Sequence, residues 1–195
     1  MLQRTNIIWL LVTLLLVRII AMVVMPFADT TEPRYAEIAR LMMTTNDWIT
    51  PWFEPGVPFW GKPPLSFWAQ AISFKLFGIN EFAGRLPALL AFLATAWMLW
   101  RLAASVVNTQ VAASSLVVYS GMVLTFVAAG TVMTDPYLAL GTTWSMVAFY
   151  LAPKENVWYW RYGFFIGLGI GLLAKGPLAI VITGAPIGVW VLLQG

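Results

Sequence analysis

Apolar residues in this chain come in long blocks separated by short polar breaks, not in the alternating pattern of strands. The first block, 7–25, has about the 20 apolar residues that one helix needs to cross a bilayer core. Further blocks at 82–107, 111–133, 137–152, 158–174 and 178–193 predict five more spans. The breaks carry turn and cap residues: Asn80 with Glu81, Asn108 with Gln110, Asp135 with Pro136, Pro153 through Asn156, and Lys175 before Gly176 and Pro177. A shorter apolar run at 65–78 contains Gln70 and Lys75, and predicts a helix lying in the interface. If it crossed instead, every later helix would reverse direction.

The stretch from 27 to 64 breaks the pattern. Thr31 or Glu32 is placed to cap a helix, and Pro33 suits its first turn, where a missing N–H costs nothing. Tyr35, Ile38, Ala39 and Met42 fall on one face at i, i+3, i+4 and i+7. With Arg34, Glu37 and Arg40 on the other side, this reads as a helix resting on the membrane, stripe down and charges up. Thr44 to Asp47 ends it. Pro51, Pro55, Pro58, Pro63 and Pro64 keep the following loop extended.

Composition sharpens this picture. Hydrophobic residues make up 61% of the 195 residues and charged ones 10%, which excludes an ordinary soluble domain. Eleven Trp suit the two membrane interfaces. The net charge of +3 is spread thinly, which argues against a nucleic-acid partner and leaves membrane lipids as the surroundings. Residues 7–25 could pass for a signal peptide, but the run is long and no small-residue cleavage site follows, so an uncleaved span is expected. Arg4, Arg101, Lys154 and Arg161 then mark the cytoplasmic side. The 27–64 loop, Asp135 and Lys175 fall together on the opposite face. Arg34, Arg40, Lys62 and Lys75 run against the positive-inside bias there, which suggests that cations are kept for a task.

The chain has no Cys and no His, so any proton transfer falls to carboxylates, Lys or Tyr. Asp29 and Glu32 stand at the exit of the first span. They read either as helix caps or as acids working with nearby cations. Lys62 is either a snorkelling anchor or a phosphate ligand, and Trp60 and Phe59 beside it are either interface anchors or a sugar platform. Asp135 follows about twenty apolar residues, where an unpaired acid is costly; it caps the next helix or serves chemistry. Lys175 reads as a helix-end cation or as part of the same cluster. Arg18, inside the first span, either snorkels or meets a buried acid. Carboxylates and cations converging at a bilayer surface suit a phosphate-linked lipid substrate: the cations neutralise phosphate and a carboxylate takes a proton from the acceptor.

In order along the chain stand Asp29-Thr30-Thr31-Glu32-Pro33-Arg34-Tyr35-Ala36-Glu37, Asp47-Trp48-Ile49-Thr50-Pro51, Gly61-Lys62-Pro63-Pro64-Leu65, Leu76-Phe77-Gly78, Arg85-Leu86-Pro87, Thr134-Asp135 and Ala174-Lys175-Gly176-Pro177. This series resembles the amino-terminal part of the family 39 glycosyltransferases of GT-C fold. That group includes bacterial lipid A aminoarabinose transferases and protein O-mannosyltransferases. The resemblance implies an all-α integral membrane protein with multiple spans and a first non-cytoplasmic loop carrying interfacial helices. It implies a polyprenyl-phosphate sugar donor, a lipid or protein acceptor, and an active face on the periplasmic side of a bacterial inner membrane. Glu32, Arg34, Lys62 and Asp135 match positions used around donor phosphate and catalysis. The resemblance makes Glu32, Asp135 and Asp29 the catalytic candidates, and Arg34, Lys62 and Lys175 the phosphate ligands. The family's usual pair of adjacent acids is here Thr31-Glu32, so Glu32 acts alone or Asp29 stands in. The family's chains are far longer, so this one is expected to be an amino-terminal portion, with any metal ligands outside it. The alternatives are a lipid-linked-sugar transporter or binding subunit without catalysis, or an inactive fragment.

Overall fold

A computed structural model describes residues 4–194 as a helical assembly with one small hairpin. Helix α1, Arg4–Val24, ends in the turn that leads to α2, Thr31–Thr45. A hairpin of β1, Trp52–Glu54, and β2, Val57–Pro58, turns at Gly56, whose φ of +86° suits a residue without Cβ. Then follow α3, Leu65–Phe77; α4, Glu81–Val106; α5, Thr109–Gly121; and α6, Val123–Ala128. After a turn come α7, Asp135–Leu151; the short α8, Trp158–Arg161; α9, Gly163–Lys175; and α10, Leu178–Gln194.

Among the described residues, two helices have the length and apolar character of full spans: residues 5–24, and α4, whose 26 residues give about 39 Å at 1.5 Å each. Of the caps expected from sequence, that at Asn80 forms and Asn108 caps α5. However, α2 starts after Thr30 and not at Thr31 or Glu32, and α7 starts after Thr134, neither with a side-chain cap bond. Asn80 Oδ1 accepts from the Ala83 N–H at 2.9 Å, and Asn108 Oδ1 accepts from the Gln110 and Val111 N–H groups at 3.0 and 2.9 Å.

Three expectations are revised by packing. The α2 stripe of Tyr35, Ile38, Ala39 and Met42 is buried against Phe67, Ala71 and Phe74 of α3, so protein, not lipid, covers it. The block 111–133 is not one helix. Met122 is extended (φ −65°, ψ 128°), and the Thr125 hydroxyl donates to the Tyr119 and Met122 carbonyls, satisfying acceptors where the helix stops. The chain then leaves helical form after α6 and enters α7 at Asp135. The block 158–174 likewise divides at Tyr162 into α8 and α9.

Helices α7 and α9 pack backbone to backbone through glycine. A Cβ on Gly141 would come within 2.5 Å of the Gly167 carbonyl oxygen and the Gly171 nitrogen, while one on Gly167 would meet Ser145 at 2.7 Å. Small residues permit such an approach, and the Ser145 hydroxyl adds a 2.9 Å bond to the Phe164 carbonyl. At the opposite end from the 27–64 loop, Arg101 of α4 meets Glu155 at 2.5 Å, and the Trp160 indole donates to the same carboxylate at 2.9 Å. Arg101, Lys154 and Arg161 thus share one end of the bundle, as their expected common side requires.

Candidate active site

At the other end of the bundle the turn after α1, the start of α2, the start of α4 and the turn before α7 meet around Glu32. Its side chain and that of Arg85 are 5% and 4% exposed. Arg85 donates through Nε to Glu32 Oε1 at 3.0 Å and through Nη2 to Oε2 at 2.8 Å, the paired fork that a guanidinium makes with a carboxylate. The other Arg85 hydrogens reach the Met22, Met25 and Pro26 carbonyls at 3.1, 2.6 and 2.9 Å, closing the end of α1. Glu32 also accepts from the Ala28 N–H at 2.9 Å and the Val132 N–H at 2.8 Å. Burial alone would raise its pKa. The Arg85 bonds and the two amides outweigh that and hold it below its ordinary value of 4.5.

That geometry bears on Glu32 as a base, the role in which its match to the family's acidic position puts it first. Every Glu32 oxygen is already engaged twice, and its proton affinity is lowered. A group of this kind organises its surroundings; it is poorly suited to collect a proton.

Asp135 differs. It opens α7, its side chain is 48% exposed, and Oδ1 takes a 2.7 Å ion pair from Lys175 Nζ at the end of α9. It lines a mostly apolar cleft of about 290 Å³, with Phe92, Tyr119, Leu138, Thr142 and Ile182 among the other lining residues. The sequence-selected Asp135 and Lys175 are thus brought together across 40 residues. Tyr35 stands near them. Burial pushes its phenol pKa up, Arg34 opposes the rise and Asp135 adds to it, so both charges act on this ring.

Asp29 is exposed in the turn between α1 and α2 at φ +65°, with Oδ1 accepting from the Thr30 N–H at 2.6 Å. Arg34 lines a separate outer cleft with Pro33, Glu37, Leu41, Phe53 and Glu54, and Arg40 takes Glu37 in a bidentate pair at 2.7 Å. Among the described residues neither Arg34 nor Lys62 forms an ion pair, so both cations stay free for an anion. Lys62 is half-buried in the loop before α3, and Trp60 beside it is 73% exposed. Asp47 instead serves the loop itself, accepting from the Ile49 and Thr50 N–H groups and the Trp52 indole.

Sequence reasoning missed the role of Arg85. The signal was there: a cation four residues into a long apolar helix needs a buried partner. It also left Arg18 undecided.

A helical membrane fold, with an acid and a base paired at one end of the bundle, defines the class. The sequence profile of the family described as dolichyl-phosphate-mannose-protein mannosyltransferase matches residues 61–195, and the chain belongs to that family. The chain is 30% identical over 162 residues to an undecaprenyl phosphate-alpha-4-amino-4-deoxy-L-arabinose arabinosyl transferase of Yersinia pestis, covering 77% of this chain and 28% of the relative. A protein of the same description from Edwardsiella ictaluri is 31% identical over 168 residues, covering 84% and 30%. The fold is similar to that of ArnT from Cupriavidus metallidurans. The TM-score is 0.87 for the structure bound to undecaprenyl phosphate and 0.84 for the apo structure, at 23% identity and 36% of the neighbour's length. This chain therefore spans about a third or less of each protein it matches.

Proposed function

We propose that the protein to which this chain belongs is a membrane glycosyltransferase, moving a sugar from a polyprenyl-phosphate donor to a lipid or protein acceptor. The protein sits in a bacterial inner membrane as a multi-pass chain, with the Asp135 end of the bundle facing the periplasm. One observation carries the reading: a half-exposed carboxylate, salt-bridged to a lysine, lines a mostly apolar cleft in a chain of this family.

Asp135 is the base in this proposal. An acceptor hydroxyl oxygen attacks the anomeric carbon, the bond from that carbon to the donor phosphate oxygen breaks, and the phosphate leaves with the electron pair. The hydroxyl proton passes to the Asp135 carboxylate. The proton moves as the leaving phosphate departs. Once Asp135 is neutral, its pair with Lys175 weakens, and the ammonium becomes available to the departing phosphate. Arg34 and Lys62, which form no ion pair among the described residues, meet the donor phosphate earlier. Asp29, exposed and with one oxygen uncommitted, is a second carboxylate on the acceptor side. Glu32 keeps a positioning role through Arg85 and Val132.

The test supplies undecaprenyl phosphate carrying a radiolabelled sugar to the full-length protein in vesicles, with a lipid fraction and a protein fraction as acceptors. Label is expected to leave the carrier for one of these fractions. Label that stays on the carrier through many donor equivalents, while the donor still binds, would favour a binding subunit without chemistry.

A further inference from the structure

Asp135 is reached through a short non-helical turn, and two polar side chains, one half-buried and one buried, hold that turn at its ends. At the start is Arg18, inside α1. Its Nη2 donates to the Val127 carbonyl at 2.6 Å, and its guanidinium carbon lies 5.4 Å from the centre of the Phe126 ring. Val127 is in the last turn of α6, and its carbonyl also accepts from the Gly130 N–H and the Thr131 hydroxyl, both at 3.2 Å. Arg18 adds a charge-assisted bond to this shared acceptor, at a helix end where a cation is favoured. At the far end the Val132 N–H donates to Glu32, itself held by Arg85. Between them stands Gly130, buried, where any Cβ would collide with the Arg18 guanidinium. Three residues after Val132 comes Asp135.

A cation about two-thirds of the way along an apolar helix is costly unless it meets a specific need. The break at Met122 creates that need. It leaves α6 only six residues long, too short to hold itself by its own hydrogen bonds. We infer that Arg18 is a positioning residue that, together with Glu32, clamps the 127–132 turn and so fixes where Asp135 is presented. The inference rests on the reading of Asp135 as base. It adds that the reaction depends on an α1 side chain that never touches substrate. Gly130 belongs to the same device, since it admits the guanidinium to the Val127 carbonyl.

The experiment uses the full-length protein with Arg18→Met, which keeps the apolar stem, Arg18→Lys, which keeps a cation, Gly130→Ala, and the Gly130→Ala/Arg18→Met double variant. Thr131→Cys provides a labelling site inside the turn, read as its rate of modification by a membrane-permeant maleimide against the same protein without that cysteine. Arg18→Met should raise the labelling rate at least about fivefold and lower kcat about 10- to 100-fold, with donor KM within about twofold of wild type. Arg18→Lys should recover a large part of both. Gly130→Ala should lower kcat by itself yet add little in the Arg18→Met background, because the collision needs the guanidinium.

An unchanged labelling rate in Arg18→Met would overturn the clamp. A faster rate with wild-type kcat would overturn the positioning role. Asp135→Asn, measured alongside, then identifies the source of that failure: if it too keeps its activity, the reading of Asp135 as base has failed, and if it is inactive, only the clamp has.

Discussion

At the scale of single residues, the acids differ by what surrounds them. Glu32 and Asp135 look alike in sequence, each an acid at a helix start. In the fold one is buried with every oxygen engaged, while the other faces a cleft. Sequence put Glu32 first and Asp135 second; the order proposed here is the reverse, because of Arg85 and Val132, 53 and 100 residues away from Glu32. Removing one partner of a buried ion pair strands the other, at a cost of about 3–5 kcal/mol. Glu32→Gln is therefore expected to lower the thermal unfolding temperature of the detergent-solubilised protein markedly; a stable protein that has lost only turnover would return Glu32 to the base role. The lowered Glu32 pKa sets a pH dependence as well. Its contribution to stability is fully present above the ordinary value of 4.5, and is lost as pH falls through the depressed folded-state value. Melting curves followed downward from pH 6 should show wild type losing stability in acid by more than Glu32→Gln does. For the cation Lys62, Lys62→Ala should weaken donor binding by about 1.5–3 kcal/mol, the worth of a hydrogen bond to a charged group, as read by donor titration.

At the scale of elements, hydrophobic periodicity located the apolar segments and the caps at Asn80 and Asn108, because these depend on neighbours in sequence. It failed at the breaks. Nothing in the hydropathy of 111–133 marks Met122; the stop depends on Thr125 bonding backward to two carbonyls. The stripe of α2 was legible, but its cover was not, since an apolar face looks the same to lipid and to α3. The contact between α7 and α9 is set by Gly141 and Gly167, and it places Lys175 opposite Asp135. Gly141→Val drives a branched side chain into the α9 backbone. It is expected to destabilise the protein by several kcal/mol, at or above the ~1–3 kcal/mol typical of overpacking, since the opposing atoms are backbone. Limited proteolysis in detergent checks this, and wild-type resistance would contradict the packing described here.

At the scale of the whole molecule, the charged groups separate to two ends. Arg101, Glu155 and Trp160 close one, while Glu32, Arg85, Asp135 and Lys175 gather at the other. The sequence carried that division, because turn residues recur where apolar blocks end. It could not carry the two-point hold on the Asp135 turn, which is built from four segments. With Arg4 inside and one span before the 27–64 loop, a single cysteine at Thr45 should react with an impermeant thiol reagent in intact spheroplasts. Labelling only after lysis would reverse the orientation. The central claim is that Asp135, held against Lys175 and not Glu32, takes the acceptor proton. Asp135→Asn keeps the size of the side chain and removes its basicity. In the full-length protein, with a labelled polyprenyl-phosphate sugar, it is expected to slow transfer about 100-fold or more, the usual scale for losing a general base, while donor binding stays within about threefold of wild type. Transfer by Asp135→Asn at the wild-type rate would contradict the account.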